Sequence, residues 1–198
     1  MNIYTYYDEV LENQIEIIEI WKESWRKNGW NPIVLDQQSI NCSDVEIEYL
    51  ENLPSVNPKK YEMACFLRWN AMSNIGGGWM CDYDVINLGF SPDDSKKYES
   101  VSILQGHVPC LVYGTSEDYM DTFRIFATES LRFITMEDGR PHTSDMIVIS
   151  NIANRESINC FNIVDAYPKR EESILIHCSA GSCKSMSMTK KEAMISIL

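Results

Sequence analysis

The chain has little positive charge for its size. Its 198 residues carry 17 Lys and Arg against 29 Asp and Glu, a formal net charge of −12. Phosphate backbones and anionic bilayers are held by an excess of Lys and Arg, so this balance excludes nucleic acid as a partner and argues against a membrane surface. An anionic small molecule would need local help, from a metal ion or a few well-placed cations. No apolar run reaches the roughly 18–20 residues that a membrane helix requires. The opening Asn2-Ile3-Tyr4-Thr5-Tyr6-Tyr7-Asp8 lacks the basic and apolar segments of a secretory leader. A soluble, cytoplasmic protein is the expectation. A disulfide framework is also lacking. The seven cysteines are odd in number and scattered in spacing, which suits reduced thiols. Internal repeats, low-complexity tracts and long linkers are absent, so residues 1–198 are expected to form one domain.

What is present alternates between apolar strand-like and helix-like segments, which predicts an α/β fold with a mixed, mostly parallel central sheet flanked by helices. Residues 2–7 read as a strand, aromatic and β-branched. Residues 9–28 carry Leu11, Ile15, Ile18 and Trp25 at helical spacing, with Glu early and Lys or Arg late, as the helix dipole favours. Gly29 stops that helix. Residues 32–35 form a second strand ending at Asp36. This β-α-β opening suits a nucleotide-binding sheet. Residues 41–60 predict a polar loop with a short helical piece, and 61–74 a long helix closed by Gly76-Gly77-Gly78. Strands follow over 79–88, 98–104 and 108–113, and a helix over 116–131. Residues 144–151 fit a short helix or a strand. Strands over 158–164 and 173–178 precede a closing helix over 185–198. Trp21, Trp25 and Trp30 are expected to pack in the core.

The sharpest local signal is Gly76-Gly77-Gly78-Trp79-Met80-Cys81-Asp82-Tyr83-Asp84-Val85. Two carboxylates at i and i+2 of a strand share one face and repel. A hard divalent cation relieves that repulsion, and Mg²⁺ or Mn²⁺ is commonly bound by one or two carboxylates together with substrate phosphates. D-x-D alone is a weak pattern. The preceding glycines and Arg68 upstream strengthen it.

With Phe66-Leu67-Arg68-Trp69-Asn70-Ala71-Met72 before it, this segment resembles the sugar-binding region of DxD glycosyltransferases of GT-A fold. Residues 21–35 (WKESWRKNGWNPIVL) are similar to that family's opening. The resemblance spans residues 1–90 and continues in scattered motifs. It implies a transferase that uses Mn²⁺ or Mg²⁺ to move a sugar, such as a hexose or deoxyhexose, from a nucleotide-diphosphate sugar, UDP-linked for preference, to a glycan or other hydroxyl acceptor. By position, Asp84 would bind the metal and Asp82 would face the metal shell and the donor ribose or sugar. Arg68 would approach the donor sugar. Thr5 and Tyr6 would lie near the base and ribose, with Asp36 at the end of the second strand also on the nucleotide side. Related sequences often carry an Asp three residues before the Arg, where this chain has Cys65. The family's free-standing bacterial and large-virus members are the nearest in style, and a chain ending in a helical pattern is compatible with one domain of a longer polypeptide.

The segment His177-Cys178-Ser179-Ala180-Gly181-Ser182-Cys183-Lys184 permits two readings. In retaining GT-A enzymes a late strand ends with a metal-binding His, followed by a Gly and a Lys that meet the diphosphate. His177, Gly181 and Lys184 keep that order with one extra residue. The second reading is the phosphate loop of a cysteine-dependent phosphatase, with Cys178 as nucleophile and Lys184 where that family has Arg. A planar guanidinium grips phosphate in a way an ammonium does not, and the chain has no Trp-Pro-Asp general-acid segment. A non-catalytic sugar-binding domain is a third alternative. Asp145 would orient an acceptor hydroxyl, or serve as a base if the reaction inverts, and both Ser144 and Asp145 also suit a helix N-cap. His107 reads as a turn residue.

Overall fold

The triple glycine marks where the chain turns from a long buried helix into the middle of a sheet. The computed structural model describes residues 1–8, 14–128, 134–153 and 158–198. In chain order the described elements are β1 (Asn2–Tyr6), α1 (Ile15–Lys27), β2 (Asn31–Leu35), α2 (Asp44–Glu51), α3 (Lys59–Asn74), β3 (Gly77–Cys81), β4 (Val85–Asn87), α4 (Pro92–Ser95), β5 (Ser102–Gln105) and β6 (Val108–Thr115). They continue as α5 (Ser116–Thr128), β7 (Ile134–Thr135), β8 (Pro141–His142), α6 (Asp145–Ile152), β9 (Asn159–Cys160), β10 (Asp165–Ala166), β11 (Leu175–His177), α7 (Ala180–Ser185) and α8 (Lys190–Ile197). The expected starts of the first helix at 9 and end of the third at 131 lie outside the described residues.

The central sheet runs β2-β1-β3-β6-β5-β9, and a smaller sheet runs β10-β11-β4. The pairings β1–β2, β1–β3 and β5–β9 are parallel, whereas β3–β6 and β5–β6 are antiparallel. The fold is therefore mixed α/β, with helices on both faces of the sheet. Strand alternation feeds two cores. Trp79 and Cys81 of β3 face a cluster with Trp21 and Trp25 of α1, Trp30, Phe90, and Met194 and Ile197 of α8. Met80, between them, faces Phe66 and Trp69 of α3, Phe123 and Phe126 of α5, and Val148 of α6. The three N-terminal tryptophans are indeed core: Trp21 and Trp25 are fully buried and Trp30 nearly so. Two of their indole N–H groups are satisfied by carbonyls, Trp25 by Val85 O at 3.1 Å and Trp30 by Phe90 O at 2.8 Å.

Gly77 is required by geometry. Its φ is +80°, and a Cβ there would sit 2.6 Å from the backbone of Thr115 and Ser116. Only a glycine lets β3 run this close to the β6–α5 junction.

Several expected elements differ. The strand over 79–88 is two strands in two sheets, β3 and β4. Asp82 N still donates to Cys110 O at 2.8 Å, and Val85 N then donates to Asp82 O at 3.1 Å, closing a tight turn over 82–85. Asp82 and Asp84 therefore sit on a turn and do not share a strand face. The polar segment 41–60 contains α2, opened by a capping box of Ser43 and Glu46, and α3 begins at Lys59. Residues 144–151 resolve as a helix, since Ser144 accepts from Ile147 N and caps α6. The closing helix over 185–198 is broken. α7 ends at Ser185, Ser187 takes a positive φ of 55°, and α8 restarts behind a Thr189–Glu192 capping box.

Candidate active site

The 82–85 turn leaves the central sheet and enters the smaller one. There β4 pairs antiparallel with β11, with Val85 opposite His177 and Ile86 opposite Ile176. Cys178 N donates to Asp84 O at 2.9 Å, extending the ladder by one step. This register places the last residue of β11 beside the acidic turn. Asp82, Asp84 and His177 each offer a ligand atom, and the three atoms lie within 4.8 Å of one another. They line a cavity of about 580 Å³ whose wall also includes Thr5, Tyr6, Arg68 and Asp145.

Each member is held from behind. His177 Nδ1 meets Gln105 Oε1 at 2.7 Å. An amide oxygen accepts, so Nδ1 carries a proton, and Nε2 is the nitrogen turned toward Asp84 Oδ1 at 3.4 Å. Such a backing hydrogen bond fixes the ring of a metal-binding histidine. Asp82 pairs with Arg68 Nη1, and Arg68 Nη2 donates to Asp145 Oδ2 at 2.7 Å. Arg68 Nε donates to Cys65 O at 3.2 Å, so the guanidinium is gripped on three sides. Asp145 Oδ2 also accepts from Trp69 Nε1 at 3.3 Å, and Asp145 Oδ1 from Met146 N at 2.7 Å. Ser144 is thus the cap of α6, and the Asp145 carboxylate is free to reach back to α3.

The two turn carboxylates differ electrostatically. Burial pushes Asp82 up, Arg68 opposes it and Asp84 adds to it, leaving Asp82 above its ordinary range. Burial also penalises Asp84, but Lys190 and His177 more than offset it and hold Asp84 well below the usual carboxylate range. Two carboxylate oxygens and one imidazole nitrogen form a donor set that suits Mn²⁺ or Mg²⁺. The residues present therefore fit the divalent cation expected from the motif.

The structure brings Thr5, Tyr6, Arg68, Asp82, Asp84, Asp145 and His177 to one cavity. The Tyr6 hydroxyl is buried there without a hydrogen-bond partner among the described residues. Asp36, Gly181 and Lys184 do not line it. Asp36 caps the short turn after β2 by accepting from Gln38 N at 2.9 Å. Gly181 and Lys184 are exposed on α7. Lys190, which the sequence reading passed over, takes the cavity position, and its Nζ donates to Asp84 Oδ2 at 2.5 Å. A continuous closing helix hides this lysine. The Thr189-Lys190-Lys191-Glu192 capping pattern was the signal that a new helix starts there. His107 lies exposed in the β5–β6 turn, as expected. The phosphatase reading finds no support. Cys178 is fully buried and does not line the cavity. Burial, then Cys183, pushes its thiol up, the reverse of what a thiolate nucleophile needs.

No family model matches the sequence. No curated protein matches it either. Among solved structures, the apo-form glycosyltransferase GlyE of Streptococcus pneumoniae TIGR4 is similar, with a TM-score of 0.57 at 8% identity. The alignment covers 98% of this chain and 59% of that one, so the chain spans under two thirds of the structure it matches. At this identity the likeness shows the fold alone, the mixed α/β arrangement described above. No helix among the described residues is long and apolar enough to cross a membrane.

Proposed function

We propose that the chain is a metal-dependent glycosyltransferase taking a nucleotide-diphosphate sugar, UDP-linked for preference, and a glycan or other hydroxyl acceptor. The observation that carries this reading is the convergence of Asp82, Asp84 and His177 on a cavity that also holds Arg68 and Asp145. Asp84, His177 and Asp82 would hold Mn²⁺ or Mg²⁺, which supplies Lewis-acid stabilisation of the departing diphosphate. Arg68 presents fixed N–H donors to the donor sugar. Its two carboxylate partners keep it charged and oriented, so little reorganisation is needed at reaction. Thr5 and the unpartnered Tyr6 hydroxyl offer hydrogen bonds to the nucleoside. Asp145 positions Arg68 through Oδ2, and its carboxylate would orient an acceptor hydroxyl, or take its proton if the reaction inverts. Retention is favoured over inversion by the resemblance of the late histidine segment to that of retaining enzymes.

The experiment is a thermal-shift series with UDP, GDP and their sugars, each with Mn²⁺ and with EDTA. Stabilisation is expected only with the metal, and a ligand at 100 times its Kd adds about 2.7 kcal/mol. Equal stabilisation in EDTA would remove the metal from the model.

A further inference from the structure

Lys190 is the cavity residue that the acidic turn and His177 do not account for. It is the first helical residue of α8, followed by Lys191. The N-terminal end of a helix carries partial positive charge and favours acids, so two lysines there run against the dipole. Each finds compensation in a different place. Lys191 pairs with Glu16 of α1 at the surface. Lys190 turns inward, with its side chain 25% exposed, to a carboxylate that is 6% exposed. Its ammonium also lies 5.9 Å from the centre of the Tyr83 ring.

Both oxygens of Asp84 are occupied, Oδ1 by His177 and Oδ2 by Lys190. We infer that the Lys190 ammonium is a tethered counter-ion that competes with the divalent cation for Asp84, and that loading the cluster releases it toward the anionic ligand in the same cavity. This rests on the metal-dependent reading above. The charges agree with it. Asp82 and Asp145 share Arg68, whereas Asp84 meets Lys190 and His177, so a cation approaching Asp84 meets the Lys190 ammonium on one of the two oxygens it needs. One divalent cation adds two positive charges there, and the loaded cluster and the displaced Lys190 then both attract the anionic ligand. Of the two basic residues, only Lys190 is free to move. It has a flexible four-carbon stem and one carboxylate partner, whereas Arg68 is held by Asp82, Asp145 and Cys65 O. Cation binding is therefore expected to precede donor binding.

The test is calorimetric titration of Mn²⁺, without nucleotide, into the parent chain, Lys190→Met, Lys190→Arg and Lys191→Met. Removing the ammonium should tighten Mn²⁺ binding by about tenfold or more, because a like charge no longer stands beside the site. Lys190→Arg keeps the charge and should stay near the parent value. Lys191→Met removes the same charge one residue away, from a surface pair, and should also stay near it. A Lys190→Met affinity equal to or weaker than the parent's would overturn the inference, and so would an equal gain in Lys191→Met. A merely structural role for Lys190 predicts weaker binding. If the parent binds no Mn²⁺ and Lys190→Met does, the inference stands and the metal-dependent activity falls. If neither binds, both fall.

Discussion

Asp82 and Asp84 are two residues apart on one turn, yet their supports come from opposite sides of the molecule and differ in stiffness. Asp82 is tied to Arg68, which projects from the middle of α3 and also bonds Asp145 at the start of α6. This assembly lies between the acidic turn, α3 and α6, with indole and backbone donors completing it. Asp84 is tied to His177 at the end of β11 and to Lys190 at the start of α8, a helix of eight residues. The arginine side is over-determined. The lysine side has one mobile ammonium. Two carboxylates at i and i+2 therefore differ in their partners, Asp82 meeting a guanidinium held on three sides and Asp84 a flexible ammonium.

The largest expected effect breaks the rigid side. Arg68→Ala leaves the buried Asp145 and the half-buried Asp82 without their shared cation. Breaking a buried pair in this way costs about 3–5 kcal/mol, a large share of the roughly 5–15 kcal/mol that holds a domain folded. Urea denaturation checks it. A loss under about 1 kcal/mol would mean that the carboxylates find other partners and that the rigid side is not rigid.

Next comes the acidic turn itself. Asp84→Ala should abolish the Mn²⁺-dependent part of donor stabilisation, about 2.7 kcal/mol at saturating ligand. Asp82→Ala should reduce it less. Both variants should fold. Without Asp84, Lys190 can extend its stem and return the ammonium to water. Without Asp82, Arg68 keeps Asp145 as a partner. Thermal shifts with and without Mn²⁺ compare the two, and an Asp84→Ala variant that kept the full metal response would reverse the assignment of roles.

The two sides also differ in how well they could be read before the structure. The arginine side is local in sequence. Arg68 lies one helix before the triple glycine, and the positive φ at Gly77 forces the helix-to-strand turn that aims the acids. Helix periodicity and glycine chemistry carry that far. The split of residues 79–88 into two strands was hidden, because Val85 and Ile86 look as buried as Trp79 and Met80. Only pairing with β11, some ninety positions later, separates them. The lysine side depends on that same long-range pairing. His177 was accessible as the end of a late strand. Lys190 was not, because the spacing pattern pointed to Lys184 and the break at Ser187 leaves little trace in composition. Gln105, which orients His177, carried no signal, since an amide near a turn is unremarkable without its partner in view.

The smallest expected effect sharpens the comparison between the two C-terminal lysines. Lys184 keeps the place in the motif, but its side chain is exposed on α7 and outside the cavity lining. Lys190 has no place in the motif and stands against Asp84. If position in space decides function, Lys184→Ala should leave Mn²⁺ affinity and donor stabilisation at the parent level. Its stability should also lie within about 0.5 kcal/mol, as for surface substitutions away from caps and cores. Alanine is the better helix former, and Lys184 holds no carboxylate among the described ion pairs, so little stability is lost with it. The comparison is made within one titration series, with Lys184→Ala beside Lys190→Met. Lys184 could still act if α7 turned toward a bound diphosphate. Donor titrations in Mn²⁺ detect this, since a loss of donor affinity with unchanged metal affinity would return the diphosphate contact to Lys184. Equal donor affinity in Lys184→Ala and the parent leaves the cavity with Lys190 as its lysine.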